Sequence, residues 1–185
     1  MNRAVPRRIE TERLVLDAVE VRHGDPMFDA AETCRPYLAA WLDWAATSSR
    51  SGVKAFAKDA ARKWNRDEAY TFVIKLAGEV IGVVDLRRDS APNSAEMGYW
   101  MREDVSGRGY MTEAARALIE MGFATLGLHR IHLFAGVDNH ASRRVAEKLG
   151  FQREGLDRHG SRAINGYYDV YLYGLLETDP PGPRR

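Results

Sequence analysis

The sequence predicts a single α/β domain built on a mixed, mostly antiparallel sheet of about seven strands with helices on both faces. Three observations carry that prediction. The chain has 185 residues, of which 45% are hydrophobic, enough for one sizeable core without disulfide or metal staples. Helix-periodic segments fill the first third, and β-rich runs take over at Thr71. The later half alternates strand, helix, strand, helix, and a strand–helix–strand crossover requires a parallel pair.

The elements follow in order. Leu14, Leu16 and Ala18 alternate with Val15 and Asp17 as a first strand. Asp25-Pro26 reads as a helix start, with Asp as cap and Pro at the first helical position. Residues 36–45 (PYLAAWLDWA) form one helix-like run, and residues 53–66 another, with Val53, Phe56, Ala57, Ala60, Ala61 and Trp64 at helical spacing. TFVIKLA and VIGVVDL make a hairpin about Gly78-Glu79, and EMGYWM is the next strand. A glycine turn, VSGRGY, leads into a helix from about 112 to 125, whose buried stripe is Met111, Ala114, Ala115, Leu118, Ile119, Gly122 and Leu126. RIHLFAGV is a strand, Asn139 caps the helix after it, and Gly150 suits that helix's left-handed end. Residues 151–159 and 167–176 are the last two strands.

Composition narrows the function classes. Lys+Arg number 27 and Asp+Glu 26, a net charge of +1, so the chain as a whole is no polyanion binder and no nucleic-acid partner is expected. One cysteine, Cys34, excludes a disulfide framework and a multi-thiolate metal site, and no metal is expected. No apolar run approaches the roughly 18 residues of a membrane span, and MNRAVPRRIE lacks the apolar stretch of a secretory signal. A cytoplasmic protein is the expectation. Residues 1–185 are taken as one domain with its core at about 9–176, and 177–185 as a frayed tail rich in proline and glycine.

Two segments carry chemistry. In YWMREDVSGRGYMTEAARALI a strand runs through a glycine turn into a helix, so the turn amides and the helix N-terminus converge as an anion site suited to a pyrophosphate. Arg108 adds charge there, and Thr112 either caps the helix or meets a phosphate oxygen. Alone, the segment reads equally as a plain turn before a helix. It is neither a Walker loop nor a dinucleotide fingerprint, because no Gly-Lys-Ser/Thr follows and Thr112 stands where a third glycine belongs. In GVDNHASRRVAEKLGF, Asn139 and Ser142 are three apart at a helix start, and Arg143, Arg144 and Lys148 give a basic face that serves either a phosphate or solvent.

ETERLVL, GEVIGVVDLR, AEMGYWM, SGRGYMTEAARALIEMGF, LHRIHLFAGVDNHASRRVAEKLGFQREG and NGYYDVYLYGLL occur in one order from about residue 9 to 176. Through them the chain resembles the GNAT N-acetyltransferase superfamily, in its RimJ/RimL-like branch. The resemblance implies the GNAT fold, with a splayed parallel strand pair, and acetyl-coenzyme A as cofactor. It places the pantetheine beside Trp100, Met101 and Arg102, and the pyrophosphate on Gly107, Arg108, Gly109, Tyr110 and Met111, with Thr112 and Arg143 as further contacts. Ser106 and Met111 depart from the family's long polar and small residues, which weakens the motif without abolishing a site made of backbone amides.

Asn139 is expected on the pantetheine arm and Ser142 near the thioester sulfur, where a hydroxyl can protonate the leaving thiolate. Close members carry a glutamate where Ser161 stands, so Glu96 becomes the main candidate for general base, with a structural hydrogen-bonding carboxylate as the alternative. Tyr167 and Asp169 are weaker candidates. In relatives the acceptor site is shaped by the region of Arg35, Tyr37, Trp41, Trp44 and Trp64; Trp41 and Trp44 read equally as core or as pocket wall, and Trp64 reads as core.

At pH 7, freeing an α-amine costs about 1.4 kcal/mol and freeing a lysine amine about 4.6 kcal/mol, which favours a peptide N-terminus as acceptor for an enzyme without an obvious dedicated base. A small amine as acceptor and a non-catalytic cofactor-binding sensor are the alternatives. A homodimer is expected by family analogy.

Overall fold

The structure, a computed structural model, describes residues 4–180 and 182. Eight strands form one sheet: β1 (Arg8–Glu10), β2 (Val15–Ala18), β3 (Ala69–Leu76), β4 (Glu79–Arg88), β5 (Ser94–Met101), β6 (Arg130–Gly136), β7 (Gln152–Ala163) and β8 (Gly166–Leu176). Six helices accompany them: α1 (Gly24–Glu32), α2 (Arg35–Ala39), α3 (Asp43–Thr47), α4 (Arg50–Asn65), α5 (Tyr110–Ala124) and α6 (His140–Leu149). The sheet order is β1-β2-β3-β4-β5-β6-β8-β7, antiparallel throughout except for β5 and β6. This is the expected mixed sheet with one strand more. β1 has only three residues, two of them exposed, too few to give an alternation.

Alternation along β4 assigns the two faces. Val84 and Leu86 join Ala114, Ala115 and Leu118 of α5 in the main core, which also takes Leu133 of β6 and Ala146 and Leu149 of α6. Val83 joins Met27 and Ala30 of α1 and Ala57 and Ala60 of α4 in a smaller core on the opposite face. The α5 stripe packs as its spacing predicts. A Cβ at Gly122 would lie 3.0 Å from Leu86 Cδ1, so glycine lets the helix sit close to the sheet.

Three expectations are corrected. The run 36–45 is two helices, because Leu42 is extended (φ −127°, ψ 109°) and the Trp41 carbonyl accepts from the Tyr168 hydroxyl at 2.6 Å, outside any helix ladder. Asp25 does not cap α1; the helix begins at Gly24, and Asp25 pairs with Arg50 and Lys54 of α4. Of the tail, residues 177–180 and 182 are held rather than frayed. Asp179 accepts from the Leu176 N–H at 2.8 Å, and the Gly182 carbonyl accepts from Arg116. Residues 181 and 183–185 of that expectation lie outside the described residues. Among the described residues, no helix is long and apolar enough to cross a membrane.

Candidate active site

The site begins where β5 and β6 part. Their parallel pairing lasts three residues, Ser94↔Arg130, Ala95↔Ile131 and Glu96↔His132. Beyond it β5 stays with β4 as far as Met101, and β6 stays with β8 as far as Gly136. The inner edge of β5 from Met97 to Met101 therefore has no strand beside it. A cavity of about 1070 Å³ fills this wedge and opens to both faces of the sheet. It exceeds the usual small-molecule pocket, which holds up to about 1,000 Å³, and it suits a long ligand plus a second molecule.

On the α5/α6 face the wedge ends at the glycine loop. Gly107 (φ +78°) and Gly109 (φ +83°) are both left-handed, a conformation that costs a side chain about 1–2 kcal/mol. Gly109 is the N-cap of α5, and the first backbone N–H to bond within the helix is that of Glu113, to the Gly109 carbonyl at 3.0 Å. The N–H groups of Tyr110, Met111 and Thr112 thus belong to the unbonded first turn, at the positive end of the helix dipole. Ser106, Gly107, Gly109, Tyr110, Met111 and Thr112 all line the cavity. The one acid in that turn, Glu113, is held by Thr11 and Arg13 at 2.6–2.8 Å, and Arg13 also covers the Tyr110 ring. Against the raising effect of burial, those contacts lower the Glu113 carboxyl from its ordinary value, and Arg13 offsets its charge.

α6 supplies the other wall. Asn139 Oδ1 caps the helix by accepting from the Ser142 N–H at 3.1 Å, while Asn139 also lines the cavity. The Ser142 hydroxyl stands 3.0 Å from that of Tyr99, a β5 residue on the same face. Burial pushes the Tyr99 phenol up to about 12, so it stays protonated and can donate to Ser142.

The opposite half of the cavity lies on the α1/α4 face. Its apolar walls include Tyr37, Trp41, Trp44, Phe56, Trp100 and Phe134. Trp41 meets Tyr168 edge-on at 5.9 Å, and Trp44 meets Trp100 at 5.8 Å. Its floor holds a charged cluster. Arg87 bridges two carboxylates, donating to Asp85 Oδ1 at 2.8 Å and to Glu96 Oε1 at 2.6 Å. Burial raises the Asp85 carboxyl from its ordinary value to about 6, against the lowering pull of Arg87 and the Gly98 N–H.

The wedge brings together Glu96, Trp100, Met101, Gly107, Gly109, Tyr110, Met111, Thr112, Asn139, Ser142, Tyr37, Trp41 and Trp44. Six candidates fall outside it. Arg35 turns to Glu32 and the Ser48 carbonyl. Arg102 turns to Asp104 and Glu79. The Arg108 carbonyl accepts from Arg13, and its side chain is off the wall. Arg143 bonds the Val137 carbonyl at 2.8 Å and lies over Tyr171, while Arg144 and Lys148 face the cavity. Tyr167 is 66% exposed and stacks on His159; its neighbour Tyr168 faces inward. Asp169 accepts from the His159 N–H within the last hairpin. Trp64 is packing, against Tyr70 and Phe72. Asp85, Arg87, Tyr99 and Tyr168 are not among the candidates drawn from the sequence, whereas Arg144 and Lys148 belong to the basic face expected on α6. Ser161 also lines the cavity.

Residues 13–152 match the family model described as the acetyltransferase (GNAT) domain. The chain belongs to the GNAT acetyltransferase family. The ribosomal-protein-serine acetyltransferase of Escherichia coli (strain K12) is 30% identical to this GNAT chain over 168 residues, 90% of this chain and 94% of the relative. The spermidine N(1)-acetyltransferase of the same organism is 32% identical over 98 residues, 52% of each chain. Among solved structures, RimL, a ribosomal L7/L12 alpha-N-protein acetyltransferase in complex with coenzyme A, shares this GNAT fold with a TM-score of 0.84 at 24% identity, covering 93% of this chain and 97% of that one.

Proposed function

We propose that this GNAT enzyme moves an acetyl group from acetyl-coenzyme A to the α-amine of a protein or peptide N-terminus, in the cytoplasm. The observation that carries the reading is the wedge itself, a through-sheet opening with an anion-binding helix end on one face and an acidic, aromatic-walled chamber on the other. The residues fit the donor. Unbonded N–H groups of the first turn of α5 suit the diphosphate, Arg144 and Lys148 add positive charge to the same cavity, and the free edge of β5 suits the pantetheine amides. Relatives named for ribosomal-protein acetylation cover nearly the whole chain, whereas the spermidine enzyme matches about half, and that difference supports a protein acceptor.

Bound acetyl-coenzyme A supplies an activated carbonyl and a sulfur leaving group. Ser142 and its neighbour Tyr99 hold a hydroxyl pair on the α5/α6 face, which would supply a proton to the sulfur of the bound donor as it leaves. The carboxylate cluster holds negative charge on the face where an ammonium arrives. The aromatic walls orient the amine, the positioning that makes direct transfer efficient. The test is thiol release with acetyl-coenzyme A and a panel of amines. Peptides with free N-termini should turn over, and the same peptides with blocked N-termini should not. Turnover confined to polyamines or amino sugars would reassign the acceptor, and no release with any amine would end the reading.

A further inference from the structure

We propose that Asp85, rather than Glu96, is the catalytic residue that takes the proton from the acceptor amine, with Arg87 as the residue that positions it. The proposal rests on the reading of the wedge as an amine-acetylating site and deepens it.

Four observations carry it. First, Asp85 lies opposite Gly98 in the β4–β5 register, two residues past the last β5–β6 pair, at the mouth of the wedge. Second, glycine at 98 makes the arrangement possible. A Cβ there would lie 2.8 Å from Asp85 Oδ1 and 2.5 Å from Arg87 Nη1, so any side chain would displace the pair. Third, the Asp85 carboxylate is divided in its duties. Oδ1 accepts from both Arg87 and the Gly98 N–H, while Oδ2 has no hydrogen bond among the described residues. Fourth, Glu96 is the more exposed carboxylate, 37% against 10% for Asp85, and is bound to the other guanidinium arm. The chamber wall thus presents a buried carboxylate with one oxygen committed and one open.

The surroundings leave that oxygen as the site of titration. The elements roofing the chamber, α1 and α4, present Met27, Ala31, Val53 and Phe56, and the α2–α3 segment presents Tyr37, Trp41 and Trp44. Thr71 is the neighbour on β3. His132 stands beside Glu96 on β6 with its ring 3.5 Å from Asp89, and Tyr168 faces in from β8. The charged groups acting on Asp85 are Arg87, which favours its ionised form, and Glu96, which opposes it.

The proton balance is complete. An ammonium nitrogen loses two protons on becoming an amide. Asp85 takes one and passes it to water after the product leaves. The other ends on the departing sulfur, on the face where Ser142 and Tyr99 lie. The nitrogen lone pair forms the C–N bond as the C–S bond breaks with its electrons on sulfur.

The experiment is the pH dependence of kcat/KM with an N-terminal peptide, measured on the full chain, because that ratio reports the ionisations of the free enzyme. The unsubstituted enzyme should lose kcat/KM as pH falls through about 6. Asp85→Asn should lower kcat by about 10²–10⁴-fold and remove that limb. Glu96→Gln should keep the limb and move it to lower pH, because a like charge is gone. Arg87→Gln should keep it and move it to higher pH, because the opposing charge is gone. These opposite displacements do not follow from a merely structural role. In the free protein, carboxyl-carbon NMR should show one aspartate titrating near pH 6, absent in Asp85→Asn, which tests the residue independently of turnover. A limb that survives Asp85→Asn, a limb abolished by Glu96→Gln, or an Arg87→Gln profile that does not move would overturn the proposal. Failure of the unsubstituted enzyme with every amine would instead overturn the acetylation reading on which it rests.

Discussion

Replacing Gly109 with alanine separates the two demands made on the glycine loop. Gly109 has φ +83° and caps α5, and an added Cβ would meet only Arg13 Nη2, at 3.5 Å, an ordinary contact. The folding cost is therefore backbone strain alone, about 1–2 kcal/mol. For a chain of this size that is a fall in Tm of about 2–8 °C. Gly127 is the control. It has φ +63°, nothing within 4 Å of an added Cβ, and no place on the cavity wall, so Gly127→Ala should cost the same stability. The two should differ in coenzyme A binding. Loss or misdirection of one amide that bonds an anion costs about 1.5–3 kcal/mol, a weakening of about ten- to a hundredfold. Thermal unfolding gives the first quantity and calorimetric titration with coenzyme A the second. Equal coenzyme A affinity in the two variants would refute the assignment of the diphosphate to this loop.

Ser142→Ala should reduce kcat by about 10²-fold or more while coenzyme A affinity changes little, and unchanged turnover would remove Ser142 from the chemistry. Tyr168→Phe removes the donor to the Trp41 carbonyl at the break between α2 and α3. It should cost about 1 kcal/mol of stability and raise the acceptor KM without moving coenzyme A affinity, read by denaturant unfolding and steady-state kinetics. Asp85→Asn should alter stability in a pH-dependent way. The folded carboxyl is raised to about 6, above its ordinary value, so Asp85's favourable contribution is complete below that ordinary value and is lost as pH rises through 6. Relative to the asparagine variant, the native protein should be equal near pH 4 and less stable by up to about 3 kcal/mol at pH 8, measured by urea unfolding at both pH values.

Much of this was legible in the residues, and the exceptions share a cause. Periodicity located α4, α5 and α6, each of which buries one stripe, and β-rich runs located seven strands, although β7 is exposed along most of its length. The glycine loop was legible because left-handed backbone leaves a mark in residue type. The α2–α3 break was not, because it is held by Tyr168, which is 127 positions away from Trp41 in the chain. An error of one residue changed faces where Tyr167 stood for Tyr168 on a strand of period two; on α6 the basic run of Arg143, Arg144 and Lys148 was legible, but not which of them faces the cavity, because a helix turns about 100° per residue. Asp85 shares its face with Val83 and Arg87 by simple alternation. That this face becomes the chamber floor depends on α1 and α4 arching over it, and no local pattern reports that. The Glu96–Arg87 bridge was hidden for the same reason, since it is a partnership across strands.

The brevity of the β5–β6 seam has a mechanical consequence. Three residue pairs join a five-stranded plate, β1–β5, to a three-stranded one, β6–β8, with α5 as the strap between them. A ligand lying along the cleft touches both plates and acts as a key in a split shaft, locking their relative angle. Amide hydrogen exchange along 97–101 and 133–136 should therefore slow together when the donor is added, although these two segments share no backbone hydrogen bond.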